Sequence, residues 1–226
     1  MTPLCIVPAR SQSKRIPNKN FRALCGLSPM RWAIRCCKLG LPQADIVVTS
    51  DACLTGVRDN VQWHQRPFEL ATDDASMVDV VVDVLRAYPG DPSQPCLLVQ
   101  PTQPLRRPEH LQRALHALET TQSVASVVLT EPVEKLYWVY GDVLSPVAEA
   151  LGTTGMVPLE RAQDCQPTFR CDGTVYGFTR EYFLHTKQFR TPLETRALLI
   201  PSDESCPLDT PTDWLIASLL MAHHAQ

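Results

Sequence analysis

The sequence lacks the features of several large protein classes. It contains no run of 18 apolar residues that could cross a membrane, and its short apolar start meets Arg10 without a cleavage region, which predicts no signal peptide. The formal net charge is only -3, so the molecule as a whole is not suited to coat nucleic acid. We therefore expect neither a membrane nor nucleic acid as a partner, and any anion-binding site must be local.

Cysteine spacing excludes further types of site. None of the nine cysteines forms a C-x-x-C pair, and the histidines do not supply zinc-finger spacing. The cysteines are odd in number and several lie in apolar runs, which is typical of free thiols in a reducing compartment. No Ser/His/Asp or Cys/His arrangement indicates nucleophilic catalysis. The sequence thus favours a cytoplasmic protein whose chemistry does not depend on cysteine.

Apolar runs that predict buried strands alternate along the chain with amphipathic patterns that predict helices. The predicted strands are 4–9, 45–50, 60–65, 95–100, 123–129, 173–178 and 197–201. The predicted helices are 29–39, 73–88, 108–119 and 213–222, the last capped near Thr210 or Thr212. This alternation predicts an α/β fold with a mostly parallel sheet and helices on both faces. Because no repeat or linker is visible, we predict a single domain over residues 1–226.

One stretch breaks this alternation, between about residues 131 and 167. It begins with the aromatic residues Tyr137, Trp138 and Tyr140 and continues into a segment rich in glycine, threonine and proline. Such a pattern indicates a small β-rich excursion from the main sheet. Its apolar side chains need a covering surface, which predicts a dimer contact.

The first predicted strand is followed by a cluster of cations and hydroxyl groups, namely Arg10, Ser11, Ser13, Lys14, Arg15 and Lys19. Several cations with exposed backbone N–H groups form the kind of cradle that a triphosphate requires. The loop has neither the P-loop motif nor G-x-G-x-x-G, so a P-loop enzyme or a dinucleotide site is not expected. On residue chemistry alone, a phosphate cradle and a merely solvated charged surface both remain open.

The string ARSQSKRIPNKN, residues 9–20, resembles the A-R-x-x-S-K-x-x-P-x-K-N signature of the CMP-sialic acid synthetase family. Five more segments resemble that family in the same order: 47–52, 66–76, 97–106, 169–176 and 208–214. The resemblance implies a Rossmann-like nucleotidyltransferase fold and a homodimer in which the excursion forms much of the contact. It also implies transfer of CMP from CTP to an acidic 2-keto sugar of the sialic or nonulosonic acid type, with release of pyrophosphate.

The resemblance assigns roles position by position. It implies nucleotide contacts for the residues of the first loop and one distant arginine, which are Arg10, Ser11, Ser13, Lys14, Arg15, Lys19, Asn20 and Arg66. It implies contacts to the acidic sugar for Gln100, Gln103 and Arg170. Asp209 matches an aspartate that binds Mg²⁺, and the implied catalytic set is Arg10, Lys14, Lys19 and Asp209.

The sequence departs from the family pattern at three positions. Arg15 stands where sialic acid enzymes usually have glycine, and with it the string SKRIP resembles the pseudaminic acid branch instead. Asp172 replaces an asparagine. Pro207 stands where the family has the first aspartate of a D-x-D pair, so one metal ligand is lost. Asp203, Glu204 or Asp213 could compensate for it.

Two alternatives to the transfer of CMP to an acidic sugar remain open. The acceptor could be another anion, such as a phosphonate. The chain could also be an inactive relative that binds nucleotide and serves as a scaffold.

Overall fold

The computed structural model describes residues 1–52, 61–140, 142–147 and 165–224. The strands of this part of the chain are β1 (Leu4–Pro8), β2 (Asp45–Ser50), β3 (Val61–Gln65), β4 (Pro95–Leu98), β5 (Ser123–Thr130), β6 (Tyr137–Tyr140), β7 (Val143–Pro146), β8 (Thr168–Thr179) and β9 (Arg196–Leu199). Its α-helices are α1 (Pro29–Gly40), α2 (Met77–Ala87), α3 (Pro108–Ala117), α4 (Arg180–Thr186) and α5 (Pro211–His224).

Seven of these strands form one sheet in the order β3-β2-β1-β4-β8-β5-β9. Strands β3, β2, β1 and β4 run parallel, and β9 runs parallel to β5. Strand β8 is antiparallel to both of its neighbours, β4 and β5. The predicted α/β class with a mostly parallel sheet is therefore confirmed, whereas the assignment of the whole chain to one domain stays a prediction.

Helices cover both faces of the sheet. Successive side chains of a strand point to opposite faces, so an apolar strand needs a packing partner on each side. In β1, Cys5 and Val7 belong to a core cluster that includes residues of α1 and α3. The alternate residues Leu4 and Ile6 join a second cluster with residues of α2 and α4. A strand buried on both faces reads as a continuous apolar run, which is why β1 was recognisable from the sequence alone.

Helix α2 begins four residues later than the predicted start at residue 73. Ser76 is its N-cap, and the Ser76 hydroxyl accepts a hydrogen bond from the backbone N–H of Val78. The prediction was wrong because it extended the helix across this cap. Asp73 and Asp74 consequently lie in a loop, where their carboxylates are available to the surface beside β1.

The segment after residue 167 also differs from prediction. Strand β8 has 12 residues rather than the six predicted at 173–178, and helix α4 was not predicted. Helix α4 is only seven residues long and is held by tertiary packing, since the ring of Phe183 stacks on that of Phe178 with centroids 4.4 Å apart. Helices this short have little intrinsic stability, so a periodic pattern does not reveal them.

The described part of the excursion contains an antiparallel hairpin, β6–β7, outside the seven-stranded sheet. The remainder of the predicted excursion, residues 148–164, lies outside the described residues. Within the described residues, no helix is long and apolar enough to cross a membrane.

Candidate active site

The candidate site lies where the carboxyl ends of β1, β2 and β4 meet. Strand β1 has β2 on one side and β4 on the other, so the direction in which strands are added reverses between β1 and β4. In open α/β sheets, ligands bind in the crevice at such a reversal. The loop of residues 10–20, called the cation loop below, leaves the sheet at this point.

Two cavities flank the cation loop. The larger cleft has a volume of about 560 Å³ and lies between the cation loop and residues 68–74. Its lining includes Arg10, Ser13 and Lys14 from the loop and Phe68 and Asp73 from the opposite wall. The smaller cavity, about 160 Å³, lies between the cation loop and the end of β4 and is lined by Arg10, Ser13, Lys19, Asn20, Arg66, Gln100 and neighbouring residues.

Asp51, which directly follows β2, anchors the start of the cation loop. Its carboxylate accepts a hydrogen bond from the Ser11 backbone N–H at 2.7 Å and another from the Ser11 hydroxyl at 2.5 Å. Burial by itself would raise the pKa of Asp51, but the hydrogen bonds from Ser11, a backbone hydrogen bond of its own residue and the charge of Arg66 together hold that pKa below its ordinary value. The ionised carboxylate thus fixes the loop at the mouth of the larger cleft.

Arg10 and Lys14 share a single partner across the larger cleft. The Asp73 carboxylate lies 2.5 Å from Nη1 of Arg10 and 2.7 Å from Nζ of Lys14. Hydrogen bonds from Lys14 and then Arg10 lower the pKa of Asp73, and the Asp73 contact raises the pKa of Lys14. In this structure, both cations point into the cleft from the cation loop.

The smaller cavity contains an unpaired buried acceptor. Asn20 is buried, and its side-chain N–H donates to the backbone carbonyl of Arg10 at 2.9 Å. That contact fixes the orientation of the amide and leaves Oδ1 buried without a hydrogen-bond partner among the described residues. Buried polar atoms are normally paired, so this oxygen is suited to accept a hydrogen bond from a ligand.

Arg66 lines the same cavity but is largely engaged by the sheet. It is only 3% exposed, and its Nη2 donates to the Thr49 carbonyl at 2.8 Å. Burial lowers the pKa of Arg66 to about 10, which still leaves the guanidinium charged at neutral pH. Arg66 therefore holds the end of β2 in place and adds a positive charge to the cavity wall.

Lys19 and Arg15 extend from the cation loop toward Asp209. The Lys19 ammonium donates to the Leu208 carbonyl at 2.7 Å and lies 3.9 Å from Asp209 Oδ1. Burial lowers the pKa of Lys19, while the charge of Asp209 opposes that shift. The Arg15 guanidinium pairs with the same Asp209 oxygen at 2.9 Å. The residue that replaces the family glycine thus contacts the remaining aspartate of the disrupted D-x-D pair.

A magnesium site at Asp209 would have a single carboxylate ligand from the protein, because the nearby carboxylates have other partners. Glu204 is engaged by His110 Nε2 at 2.8 Å and by Arg107 at 3.1 Å. Asp213 accepts the backbone N–H groups of Asp209 and Thr210 as part of the cap of α5. Among the described residues, no group of three or more His, Cys, Asp or Glu side chains could hold a metal.

The chemistry of this donor set nevertheless fits Mg²⁺ in a shared site. Magnesium takes six oxygen ligands, keeps several waters, and is commonly bound through one or two carboxylates together with substrate phosphates. The Asp209 side chain is 48% exposed beside the cation loop, so a phosphate-bound ion could reach it. The residues present do not form a metal cage that the protein supplies alone.

The structure does not bring all predicted sugar-site residues into the two cavities. Gln100 lines the smaller cavity. Gln103 is buried, donates to the backbone carbonyl of Asp172, and has a side-chain oxygen without a partner among the described residues. Arg170 is an exposed residue of β8 paired in register with Val128 of β5, outside the lining of either cavity. Roles for all three in sugar binding stay predictions.

Three residues of the site were not identified from the sequence. Asp51, Asp73 and Phe68 border the larger cleft, but their contacts join segments far apart in the chain. The only available signal was their position in strings that resemble the family, after β2 and after Arg66.

The sheet is mostly parallel, and a cationic loop leaves it where the strand order reverses. These features are characteristic of α/β proteins that bind phosphorylated ligands. The family model described as cytidylyltransferase matches residues 4–196 of this sequence, and the chain belongs to that family. The resemblance stated from the motifs is thereby confirmed at the level of the family.

Curated relatives cover nearly the whole chain. The N-acylneuraminate cytidylyltransferase of Streptococcus agalactiae serotype III (strain NEM316) is 31% identical over 220 residues, which is 95% of this chain and 52% of that protein. The chain therefore spans about half the length of this relative. The CMP-N,N'-diacetyllegionaminic acid synthase of Legionella pneumophila subsp. pneumophila is 29% identical over 234 residues, or 96% of this chain and 95% of that protein.

A solved structure shows the same fold. The CMP:2-keto-3-deoxy-manno-octonic acid synthetase complexed with CTP superposes with a TM-score of 0.70, covering 99% of this chain and 100% of that chain. Because the two sequences are only 15% identical, this likeness shows the fold alone.

Proposed function

We propose that this protein transfers CMP from CTP to an acidic 2-keto sugar of the sialic or nonulosonic acid type and releases pyrophosphate. The observation that carries this proposal is the cation loop at the strand reversal, with a cleft of about 560 Å³ on one side and a second cavity on the other. Membership of the cytidylyltransferase family supports CTP as the nucleotide, and the relatives that act on N-acylneuraminate and on N,N'-diacetyllegionaminic acid support the class of acceptor.

The larger cleft has the chemistry to hold a nucleoside triphosphate. Arg10 and Lys14 would donate to phosphate oxygens, and charge-assisted contacts of this kind are the strong ones in anion binding. The side chain of Phe68, which is 81% exposed on the opposite wall, offers an aromatic surface on which a base can stack.

The proposed chemistry is one in-line displacement. The anomeric hydroxyl of the sugar attacks the α-phosphorus, a new P–O bond forms, and the hydroxyl gives up its proton to water. The bond between the α-phosphorus and the oxygen that bridges to the β-phosphorus breaks, and pyrophosphate leaves with that oxygen. Arg10, Lys14 and Lys19 would stabilise the charge that develops on the phosphate oxygens, so catalysis depends on positioning and electrostatics. The smaller cavity, with the Asn20 oxygen and Gln100 on its wall, shares Arg10 and Ser13 with the larger cleft. We place the acceptor in the smaller cavity and the phosphate that it attacks where the two cavities meet, beside Lys19.

We propose Mg²⁺ as the cofactor, held by Asp209 together with phosphate oxygens and water. When bound, the ion would neutralise phosphate charge and polarise an oxygen ligand. Arg15 and Lys19, which contact Asp209 in this structure, would keep the carboxylate oriented toward the cation loop.

The test is a pyrophosphate-release assay with CTP, Mg²⁺ and a panel of acceptors. We expect release with at least one 2-keto acidic sugar and none without an acceptor. Activity with a phosphonate alone would favour the alternative acceptor. Tight CTP binding without turnover on any acceptor would favour the inactive, nucleotide-binding relative.

We further propose a homodimer. The hairpin β6–β7 exposes a continuous set of apolar side chains, Leu136, Tyr137, Trp138, Val139, Tyr140, Val143 and Leu144. Leu129 and Phe169, cross-strand neighbours in β5 and β8, add exposed apolar area near the base of this hairpin. A surface this apolar is characteristic of a protein interface, and a two-fold contact would cover it on both subunits.

At micromolar concentration, we expect a solution mass of twice the chain mass of 25.2 kDa. The double substitution Trp138→Glu and Tyr140→Glu should shift the equilibrium toward the monomer, because it would bury charge in the contact. Sedimentation or light scattering provides the measurement. A wild-type protein that stays monomeric at this concentration would rule out the dimer.

We place the protein in the cytoplasm. Cys5, Cys36, Cys37, Cys96 and Cys206 are buried free thiols, as is usual in a reducing compartment, and burial raises the pKa of Cys36 and Cys96 to about 12. These thiols behave as small core side chains rather than reactive groups.

A further inference from the structure

The larger cleft already contains an anion that belongs to the protein. Both oxygens of the Asp73 carboxylate are used, Oδ1 by Arg10 and Oδ2 by Lys14. Arg10 and Lys14 are the cations on which we base triphosphate binding. In this structure one of their two positive charges is therefore compensated by a residue from the opposite wall of the cleft.

A phosphate oxygen and the Asp73 carboxylate cannot accept the same N–H groups in the same geometry. Both are anionic acceptors that prefer donor distances of about 2.7–2.9 Å. A triphosphate that binds Arg10 and Lys14 through these same N–H groups must therefore replace the two contacts or share them at longer distance.

Two features allow Asp73 to give up its partners without disturbing the core. Asp73 lies in the loop between the short 3₁₀ turn Phe68–Leu70 and the N-cap Ser76, so it can move without breaking α2. Its carboxylate makes no other hydrogen bond or ion pair to any residue that the structure describes. Asp51 differs, because it is bonded to both the backbone and the side chain of Ser11.

We propose that Asp73 is an exchangeable counterion of the cation loop. It holds Arg10 and Lys14 in the empty protein, yields both to the triphosphate when CTP binds, and pairs with them again as pyrophosphate leaves. This inference rests on the proposed function, since it assigns a residue to the same nucleotide site. It makes Asp73 a positioning residue that lowers affinity for polyphosphates and promotes product release.

The experiment measures binding of CTP and of inorganic pyrophosphate to wild type and to Asp73→Asn by calorimetry, with the pyrophosphate dissociation rate followed by stopped flow. We expect Asp73→Asn to tighten binding of both ligands about two- to thirtyfold, from the energies typical of two partly exposed ion pairs. The gain should appear chiefly as slower dissociation of pyrophosphate.

Asp74→Asn is the matched control. Asp74 lines the same cleft, and its substitution by asparagine removes the same charge. Asp74 forms no ion pair within 4.0 Å among the described residues. We expect it to tighten binding by less than Asp73→Asn. Asp73→Glu retains the charge and should stay within about twofold of wild type, and it provides the comparison if Asp73→Asn does not fold.

Weaker binding by Asp73→Asn would overturn the exchange, because it would mean that Asp73 only orients the two cations. Equal tightening by Asp73→Asn and Asp74→Asn would overturn it too, since net charge alone would then explain the effect. A wild-type protein that binds neither CTP nor pyrophosphate would remove the proposed function and the exchange together. If the wild type turns over CTP but Asp73→Asn binds CTP and pyrophosphate no more tightly, the role of Asp73 as an exchangeable counterion would be wrong while the proposed function stands.

Discussion

Replacing Asp209 with asparagine should reduce turnover by about a hundredfold or more while the protein remains folded. Asp209 is the single family aspartate left in its motif, because Pro207 supplies no carboxylate. The nearby carboxylates of Glu204 and Asp213 are already engaged by His110, Arg107 and the cap of α5. Removing a metal ligand commonly costs more than the ten- to hundredfold seen for residues that only orient one. The measurement is the rate of pyrophosphate release at saturating CTP and Mg²⁺.

Two controls separate the metal role from the ion pair. Arg15→Gln removes the Arg15–Asp209 contact but keeps the carboxylate, so it should retain far more activity than Asp209→Asn. Pro207→Asp restores the family pair and should lower the Mg²⁺ concentration that gives half-maximal rate. An Asp209→Asn variant with the wild-type rate would show that the metal role assigned here is wrong.

Replacing Lys19 with alanine should weaken CTP binding about ten- to a hundredfold, the range expected for one charge-assisted contact. Lys19 lines the smaller cavity next to Asn20, and burial strengthens its interaction with an anion because little water competes. Calorimetric titration with CTP gives the affinity, and circular dichroism checks the fold. Lys135→Ala removes the same charge outside both cavities and should leave CTP affinity unchanged.

A second variant distinguishes charge from anchoring. Lys19 also donates to the Leu208 carbonyl, so its removal could act by releasing the segment that carries Asp209. Lys19→Gln can keep that hydrogen bond without the charge. If Lys19→Gln restores CTP affinity, Lys19 serves as an anchor; if it binds as weakly as Lys19→Ala, the charge is what the nucleotide requires.

The parts of the fold that the sequence predicted are those with local signals. The buried run of β1 and the helical stripe of α1 appeared at their observed places because burial on a repeating period needs only neighbouring residues. The start of α2 was misplaced because the apolar stripe that predicted the helix begins only at Val78 and does not mark the first turn, which Ser76 caps. Helix α4 was missed because Phe178 and its other packing partners, not its own sequence, stabilise it.

In the candidate site too, the features predicted from the sequence are those formed by residues adjacent in the chain. The cation loop was visible because its charges are adjacent in the chain, and their position after β1 placed them at the carboxyl edge of the sheet. The pairing of Asp73 with Lys14 was not visible, since 59 residues separate them and only the fold brings them together. Gln103 was assigned to the sugar from the resemblance, yet the structure shows its amide bonded to the backbone of β8, a contact that no local pattern could reveal.

The burial of His110 makes the start of α3 sensitive to acid. His110 is 2% exposed, its Nδ1 accepts the Arg107 backbone N–H, and its Nε2 must therefore carry the proton that faces Glu204. Burial lowers the pKa of His110 despite Glu204, so the folded protein favours the neutral ring. Stability from this group is present above the ordinary histidine pKa of about 6.5 and is lost as the pH falls below it. Protonation places a second proton on Nδ1, which can then no longer accept the Arg107 backbone N–H at the start of α3. Mild acid would therefore loosen the first turn of α3 while the contact to Glu204 persists, so that a drop in activity at low pH can report a local change near Asp209 in a protein whose sheet is still intact.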